Sequence, residues 1–166
     1  IIGNALSRGN ACVEYILEQK KKFISGPQWL YENILSDKWV LAVSGTHGKT
    51  TTSSMLAWVL EYNKCDPSFL IGGMASNFNA SARLSPGKYF VIEVDEYDTA
   101  FYDKRPKFLH YFPNTLILNN IEYDHADIYP DMNSVVRAFE GLVDRIRPDG
   151  KFIACFDYPE VRALER

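Results

Sequence analysis

Apolar residues along the chain recur at two different periods, and the change of period marks the elements. Val13, Ile16 and Leu17 share one helical face, and Trp29, Leu30 and Ile34 share another, with Gly26-Pro27 between the two groups. Pro27 suits the first turn of the second helix, where a missing N–H costs nothing. At Trp39-Val40-Leu41-Ala42-Val43 the pattern becomes apolar on both faces, which predicts a buried parallel strand ending at Gly45. Helical spacing returns from Lys49 to about Tyr62, through Met55, Leu56, Val59 and Leu60. Further strands are expected at Ser68 to Ile71, Tyr89 to Val94, Thr115 to Leu118 and Phe152 to Phe156. Between the last two, Met132, Val135, Val136, Phe139, Leu142, Val143 and Ile146 predict a helix that Pro148-Asp149-Gly150 ends.

Strands alternating with helices imply an α/β fold with a doubly wound, mostly parallel sheet. Residues 1–37 read as the tail of an α/β domain whose beginning is absent, and residues 38–166 as a second, incomplete α/β domain. The start at Ile1-Ile2-Gly3-Asn4, without methionine, reads as a piece of a longer protein.

Composition narrows the partners. Eighteen Lys plus Arg against 21 Asp plus Glu give a formal charge of −3, without the basic excess of a nucleic-acid or anionic-membrane binder. No stretch approaches the ~20 apolar residues of a membrane span, and no export signal opens the chain. The three cysteines, Cys12, Cys65 and Cys155, are scattered and odd in number, so they read as reduced, small buried hydrophobes. A cytoplasmic location fits these features, and oligomeric state is not legible.

Three clusters carry candidate chemistry, each directly after an apolar strand. The first is Gly45-Thr46-His47-Gly48-Lys49-Thr50-Thr51. Glycines let backbone N–H groups approach a polyphosphate, a lysine at the helix start adds positive charge, and the Thr50 hydroxyl is placed to ligate Mg²⁺ accompanying ATP. The common P-loop pattern would need glycine at Val43, so this is a shorter variant. An ordinary glycine turn before a helix is the competing reading. His47 is assigned no proton transfer.

The second cluster is Glu93-Val94-Asp95-Glu96-Tyr97-Asp98. In an open parallel sheet, strand carboxyl ends line the ligand crevice, so Glu93 is the first choice for holding Mg²⁺. Asp95, Glu96 and Asp98 read equally well as a solvated loop. The third runs from Asn119 to Asp127, where His125 is a candidate second-metal ligand and Asp124 or Asp127 an outer partner. A structural histidine is the competing reading.

Taken together, Ala42 to Thr52, the strand ending in Glu93 to Asp98, and Asn120-Ile121-Glu122-x-Asp124-His125-x-Asp127-x-Tyr129 resemble the Mur ligase family in order and spacing. The resemblance implies a central ATPase domain preceded by the end of a UDP-sugar domain. It also implies activation of a carboxylate as an acyl phosphate by ATP and attack by an amine. Lys49 and Thr50 match the family's phosphate and magnesium residues, Glu93 its magnesium glutamate, His125 its second-metal histidine, and Asn120 a position near the nucleotide. The loop and the absence of an obvious carbamylated-lysine segment are similar to the branch acting on UDP-N-acetylmuramate. One member of that branch adds L-alanine and another the murein tripeptide L-alanyl-γ-D-glutamyl-meso-diaminopimelate. Glu96 to Tyr111, with Asn77-Phe78 and Ser81 to Leu84, looks like the tripeptide member. On that reading Arg83, Tyr97, Lys104 and Arg105 are candidate substrate residues, with Lys104 and Arg105 meeting a carboxylate.

Two other classes compete. A different P-loop NTPase, a kinase or GTPase, would not need Asn120 to Asp127, and no Asn-Lys-x-Asp guanine reader is present. A binding or interaction module without catalysis is the third reading, and ligation by this piece alone is not expected.

Overall fold

The computed structural model describes residues 1–124 and 126–165. Its elements, in chain order, begin with α1 (Ala11–Glu18), α2 (Gly26–Asn33), β1 (Trp39–Ser44), α3 (Lys49–Tyr62), β2 (Ser68–Ala75), β3 (Ala80–Arg83) and β4 (Tyr89–Glu93). They continue with β5 (Asp98–Ala100), β6 (Asp103–Pro106), β7 (Thr115–Leu118), α4 (Met132–Val143), β8 (Lys151–Ala154) and α5 (Pro159–Arg162). Six strands form one sheet in the order β3-β2-β4-β1-β7-β8, while β5 and β6 make a separate hairpin. Every pairing in the large sheet is parallel except β2 with β3. The expected α/β class with a mostly parallel sheet is therefore present.

Alternate residues of β1 serve opposite faces, as the two-residue period of a strand requires. Val40 and Ala42 join Phe90, Ile92, Leu116 and Leu118 beneath Val135, Phe139 and Leu142 of α4. Leu41 joins Phe69, Ile71 and Val91 beneath Ala57 of α3, with Leu56 and Leu60 alongside. Helices thus cover both faces. Asn114 stitches three strands at their starts: its backbone N–H donates to Val40 O, its Oδ1 accepts from Val40 N at 2.9 Å, and its carbonyl accepts from Lys151 N.

Several local expectations need correction. β2 runs on to Ala75 instead of ending at Ile71, β8 covers Lys151–Ala154, and α4 stops at Val143 before a turn that holds Arg145 and Ile146. Neither β3 nor the β5–β6 hairpin was foreseen, because their residues, Ala-Ser-Ala-Arg and Asp-Lys-Arg-Pro, have no strand alternation. Met55 and Val59 of α3 are exposed, so only the Leu56 and Leu60 side of that spacing packs on the sheet. The cysteines are unpaired but not buried: Cys12 and Cys155 are exposed and Cys65 is half-buried. Small size alone does not place a residue inside. Among the described residues, no helix is long and apolar enough to cross a membrane.

The N-terminal segment adds no strand to the large sheet but packs on its core, with Leu35 buried beside Val40 and Phe90 and with Leu30, Tyr31 and Ile34 alongside. Ile2 forms an isolated parallel bridge with Ser25, Phe23 meets Tyr102 edge-on at 4.9 Å, and Tyr31 stacks near Phe112 at 4.8 Å.

Phe139 is fully buried and its ring lies 5.5 Å from that of Phe108. Phe139→Ala should therefore cost about 3 to 5 kcal/mol of stability through lost burial and a residual cavity. Urea unfolding at constant m-value checks this, and a loss below about 1 kcal/mol would mean that the site collapses around the missing ring.

Candidate nucleotide-phosphate site

The three strands β4, β1 and β7 lie side by side, and their carboxyl ends deliver the three sequence clusters to one edge of the sheet. β1 passes into Gly45, whose φ of +130° excludes an ordinary side chain. A Cβ there would also lie 2.9 Å from the carbonyl oxygen of Asn120. The close approach is used: Thr46 N–H donates to Asn120 O at 3.1 Å, and His47 N–H donates to Asn120 Oδ1 at 2.8 Å. Asn120 Nδ2 and Asn119 Nδ2 both donate to His47 O, and Asn119 Nδ2 also reaches Thr52 Oγ1 at 3.2 Å. The Thr46 hydroxyl accepts from Glu122 N–H at 2.8 Å. The loop is thus clamped to the segment after β7 on its outer side.

Gly48, at φ +80°, is the N-cap of α3 and supplies no side-chain cap. The first N–H groups of the helix open onto the loop, with the positive end of the helix dipole behind them. The ammonium of Lys49 donates to Gly45 O at 2.7 Å and Thr46 O at 3.3 Å, and lies 4.0 Å from Glu96 Oε2. Both side chains are largely buried, at 15% and 3% exposure, so water screens this pair little.

Thr50 Oγ1 stands 3.0 Å from each carboxylate oxygen of Glu93, and Gly72 N–H donates to Glu93 Oε2 at 2.8 Å. A hydroxyl and a carboxylate in contact beside a phosphate-type loop are a fitting pair for Mg²⁺, which keeps several waters and takes few protein ligands. Among the described residues, no three His, Cys, Asp or Glu side chains cluster as a metal cage, so phosphate and water oxygens would complete such a site.

The structure therefore brings together Gly45, Thr46, His47, Gly48, Lys49, Thr50, Glu93 and Asn120. Thr51 follows on the first turn of α3, at the rim of a cavity of about 350 Å³ shared with Thr50, Ser54, Trp58 and Asn77. His125 lies outside the described residues. The four candidate substrate residues sit on other elements. Arg83 donates from Nη2 to Glu61 Oε2 at 2.5 Å and to Pro67 O, and its guanidinium lies over the rings of Phe69 and Phe78. Lys104 donates to Asp98 Oδ2 at 2.8 Å, and Arg105 grips Asp103 with two bonds of 2.9 and 2.7 Å. The Lys107 ammonium lies 5.6 Å from the centroid of the Tyr97 ring.

Sequence reasoning missed three contributors. Glu96 looked like one acid among four, yet it is the one buried beside Lys49. Asn119, which bonds to His47 O and Thr52 Oγ1, carries no signal in the sequence that separates it from Asn120. Gly72-Gly73 carried a usable signal, since paired glycines inside a strand mark close approach of other groups.

A family model described as the Mur ligase middle domain matches residues 43–166. The chain belongs to the Mur ligase family. It is 60% identical over 150 residues to a Haemophilus influenzae protein named UDP-N-acetylmuramate–L-alanyl-γ-D-glutamyl-meso-2,6-diaminoheptandioate ligase, covering 90% of this chain and 33% of that one. To a Carboxydothermus hydrogenoformans protein named UDP-N-acetylmuramate–L-alanine ligase it is 38% identical, covering 81% of this chain and 28% of that one. Among solved structures, a Neisseria ligase of the first kind superposes with a TM-score of 0.94 at 50% identity, covering 98% of this chain and 53% of that one. The chain spans about a third of the length of the curated relatives it matches.

The hairpin next to the site carries a pH dependence. The side-chain hydrogen bonds from Arg105 hold the Asp103 carboxyl at about 2, below its ordinary 3.8, against the opposing effect of burial. His110 Nε2 lies 3.1 Å from Asp103 Oδ2, and burial pushes that imidazole below its ordinary value. A carboxyl with a depressed folded value stabilises the fold above its unfolded value, and that contribution is lost as pH falls through the folded one. Asp103→Asn should accordingly flatten the decline in thermal stability between 3.8 and about 2. An unchanged acid limb in the variant would show that the Arg105 pairing contributes nothing to folding.

Proposed function

We propose that this chain is the ATP- and Mg²⁺-binding middle part of a ligase that joins the murein tripeptide L-alanyl-γ-D-glutamyl-meso-diaminopimelate to UDP-N-acetylmuramate. The observation that carries the reading is the Thr50–Glu93 contact at the mouth of the Gly45–Thr50 loop, in a chain far more similar to tripeptide ligases than to L-alanine ligases. On this reading residues 1–37 end a preceding UDP-sugar domain and residues 38–166 form most of the ATPase domain. A cytoplasmic location accords with such substrates.

The chemistry follows from the residues. Backbone N–H groups at the start of α3 face the polyphosphate, and Lys49 exchanges its loop carbonyls for β- and γ-phosphate oxygens. Thr50 and Glu93 would hold Mg²⁺, which when bound neutralises charge on the triphosphate. Asn120 ties the loop to the segment after β7 through its bonds to His47, and Glu96, 4.0 Å from the Lys49 ammonium, is its buried counter-charge. The substrate carboxylate attacks the γ-phosphorus and releases ADP, and the tripeptide amine then attacks the acyl carbon and releases phosphate. His125 keeps its proposed second-cation role on family resemblance. Lys104 and Arg105 would contact a tripeptide carboxylate by exchanging partners with Asp98 and Asp103, Tyr97 would line the same approach, and Arg83 would act from the far edge of the sheet.

A competition assay on the complete protein tests the assignment. Offered both acceptors with ATP, UDP-N-acetylmuramate and Mg²⁺, it should ligate the tripeptide in preference to L-alanine. The Lys49→Ala variant should fold yet lose about a hundredfold or more in rate, since one positioned contact to a transferring phosphoryl contributes ~3 kcal/mol. Preferential ligation of L-alanine would overturn the substrate choice, and near-normal rate in the variant would remove the loop from the reaction.

A further inference from the structure

We propose that Gly72 is a positioning residue for the metal-binding carboxylate: its backbone N–H and its missing side chain together set where Glu93 stands. The inference rests on the Mg²⁺-nucleotide reading of this site. β2 pairs with β4 only from Ser68↔Phe90 to Leu70↔Ile92. Beyond that point the Gly72 N–H turns to a side chain and donates to Glu93 Oε2 at 2.8 Å.

The same carboxylate fills the space a side chain would take. A Cβ on Gly72 would lie 3.0 Å from Glu93 Oε1 and 3.2 Å from both Cδ and Oε2. The next residue is crowded by the methyl group of Thr50, since a Cβ on Gly73 would lie 3.0 Å from Thr50 Cγ2. Gly72 is not among the positive-φ glycines, which are Gly9, Gly45 and Gly48. Its backbone therefore admits alanine, and a methyl group there would have to displace the carboxylate by a few tenths of an ångström. Thr50 meets both carboxylate oxygens and Gly72 donates to one of them. A carboxylate held in this way presents its remaining lone pairs in one direction, and groups that orient a metal ligand affect metal affinity strongly.

The test is calorimetric titration of the complete protein with ADP, in Mg²⁺ and in EDTA, for the unmodified protein and Gly72→Ala. The unmodified protein should bind ADP more tightly with Mg²⁺. In Gly72→Ala that Mg²⁺-dependent gain should fall by about tenfold, the scale on which disturbing such a supporting group reduces metal affinity, while affinity in EDTA stays unchanged. An equal Mg²⁺ gain in both proteins overturns the inference and leaves the site reading intact, whereas failure of the unmodified protein to bind ADP removes the site reading itself. Should Gly72→Ala not fold, the amide resonance of Gly72 in ¹⁵N-glycine-labelled protein decides. It should shift on Glu93→Gln, which replaces the charged acceptor, and an unmoved resonance overturns the proposal.

Discussion

The pairing of β1 on both of its edges is the constraint from which the site follows. A central strand bonded to β4 and β7 cannot slide or tilt without breaking two ladders, and a slip of one residue would turn Leu41 and Ala42 to the wrong faces. The residues that follow β1 therefore emerge at a fixed height beside Glu93 and Asn119. Ser44 marks the junction, donating from Oγ to Val94 O at 3.2 Å and accepting from Asn119 N–H through its carbonyl. The loop's position is set by the sheet before any ligand arrives.

Three glycines of this site stand where a neighbouring group comes so close that a Cβ would fit only if something shifted. Gly45 lies against the Asn120 backbone, a Cβ on Gly48 would lie 3.1 Å from Asn119 Nδ2, and Gly72 lies against Glu93. The first two also adopt positive φ, so conformation and space make the same demand there; at Gly72 space alone makes it. The loop is consequently clamped from outside by Asn119 and Asn120, while Lys49 and Thr50 face inward to Glu96 and Glu93.

Much of this was legible in the chain itself, for identifiable reasons. Strands β1, β4 and β7 are buried on both faces and read as apolar runs, and α4 repeats its apolar residues over a long enough stretch to fix its period. The glycine loop announced itself because few other needs place Gly-Lys-Thr after such a strand. What was not legible depends on contacts distant in sequence. β3 is an edge strand whose residues gain their pairing from β2, and the β5–β6 hairpin is held by ion pairs and by Tyr102 against the N-terminal segment. Glu96 could not be told from Asp95 or Asp98 because its burial comes from the way the chain turns after β4. Tyr129 helps to shape that turn, donating to Glu96 O at 2.8 Å. The partners of Arg83, which are Glu61, Pro67 and two phenylalanine rings, likewise come from other elements.

On the proposed reading, Thr50 and Glu93 form one cation site at the mouth of the Gly45–Thr50 loop. A crystal structure of the complete protein with Mg²⁺ and a non-hydrolysable ATP analogue tests it most directly. The β- and γ-phosphates should lie within the Gly45–Thr50 loop and a Mg²⁺ ion at about 2.1 Å from the Thr50 hydroxyl, with Glu93 bound directly or through one water. A triphosphate seated away from this loop, or an ion held by neither residue, would contradict it.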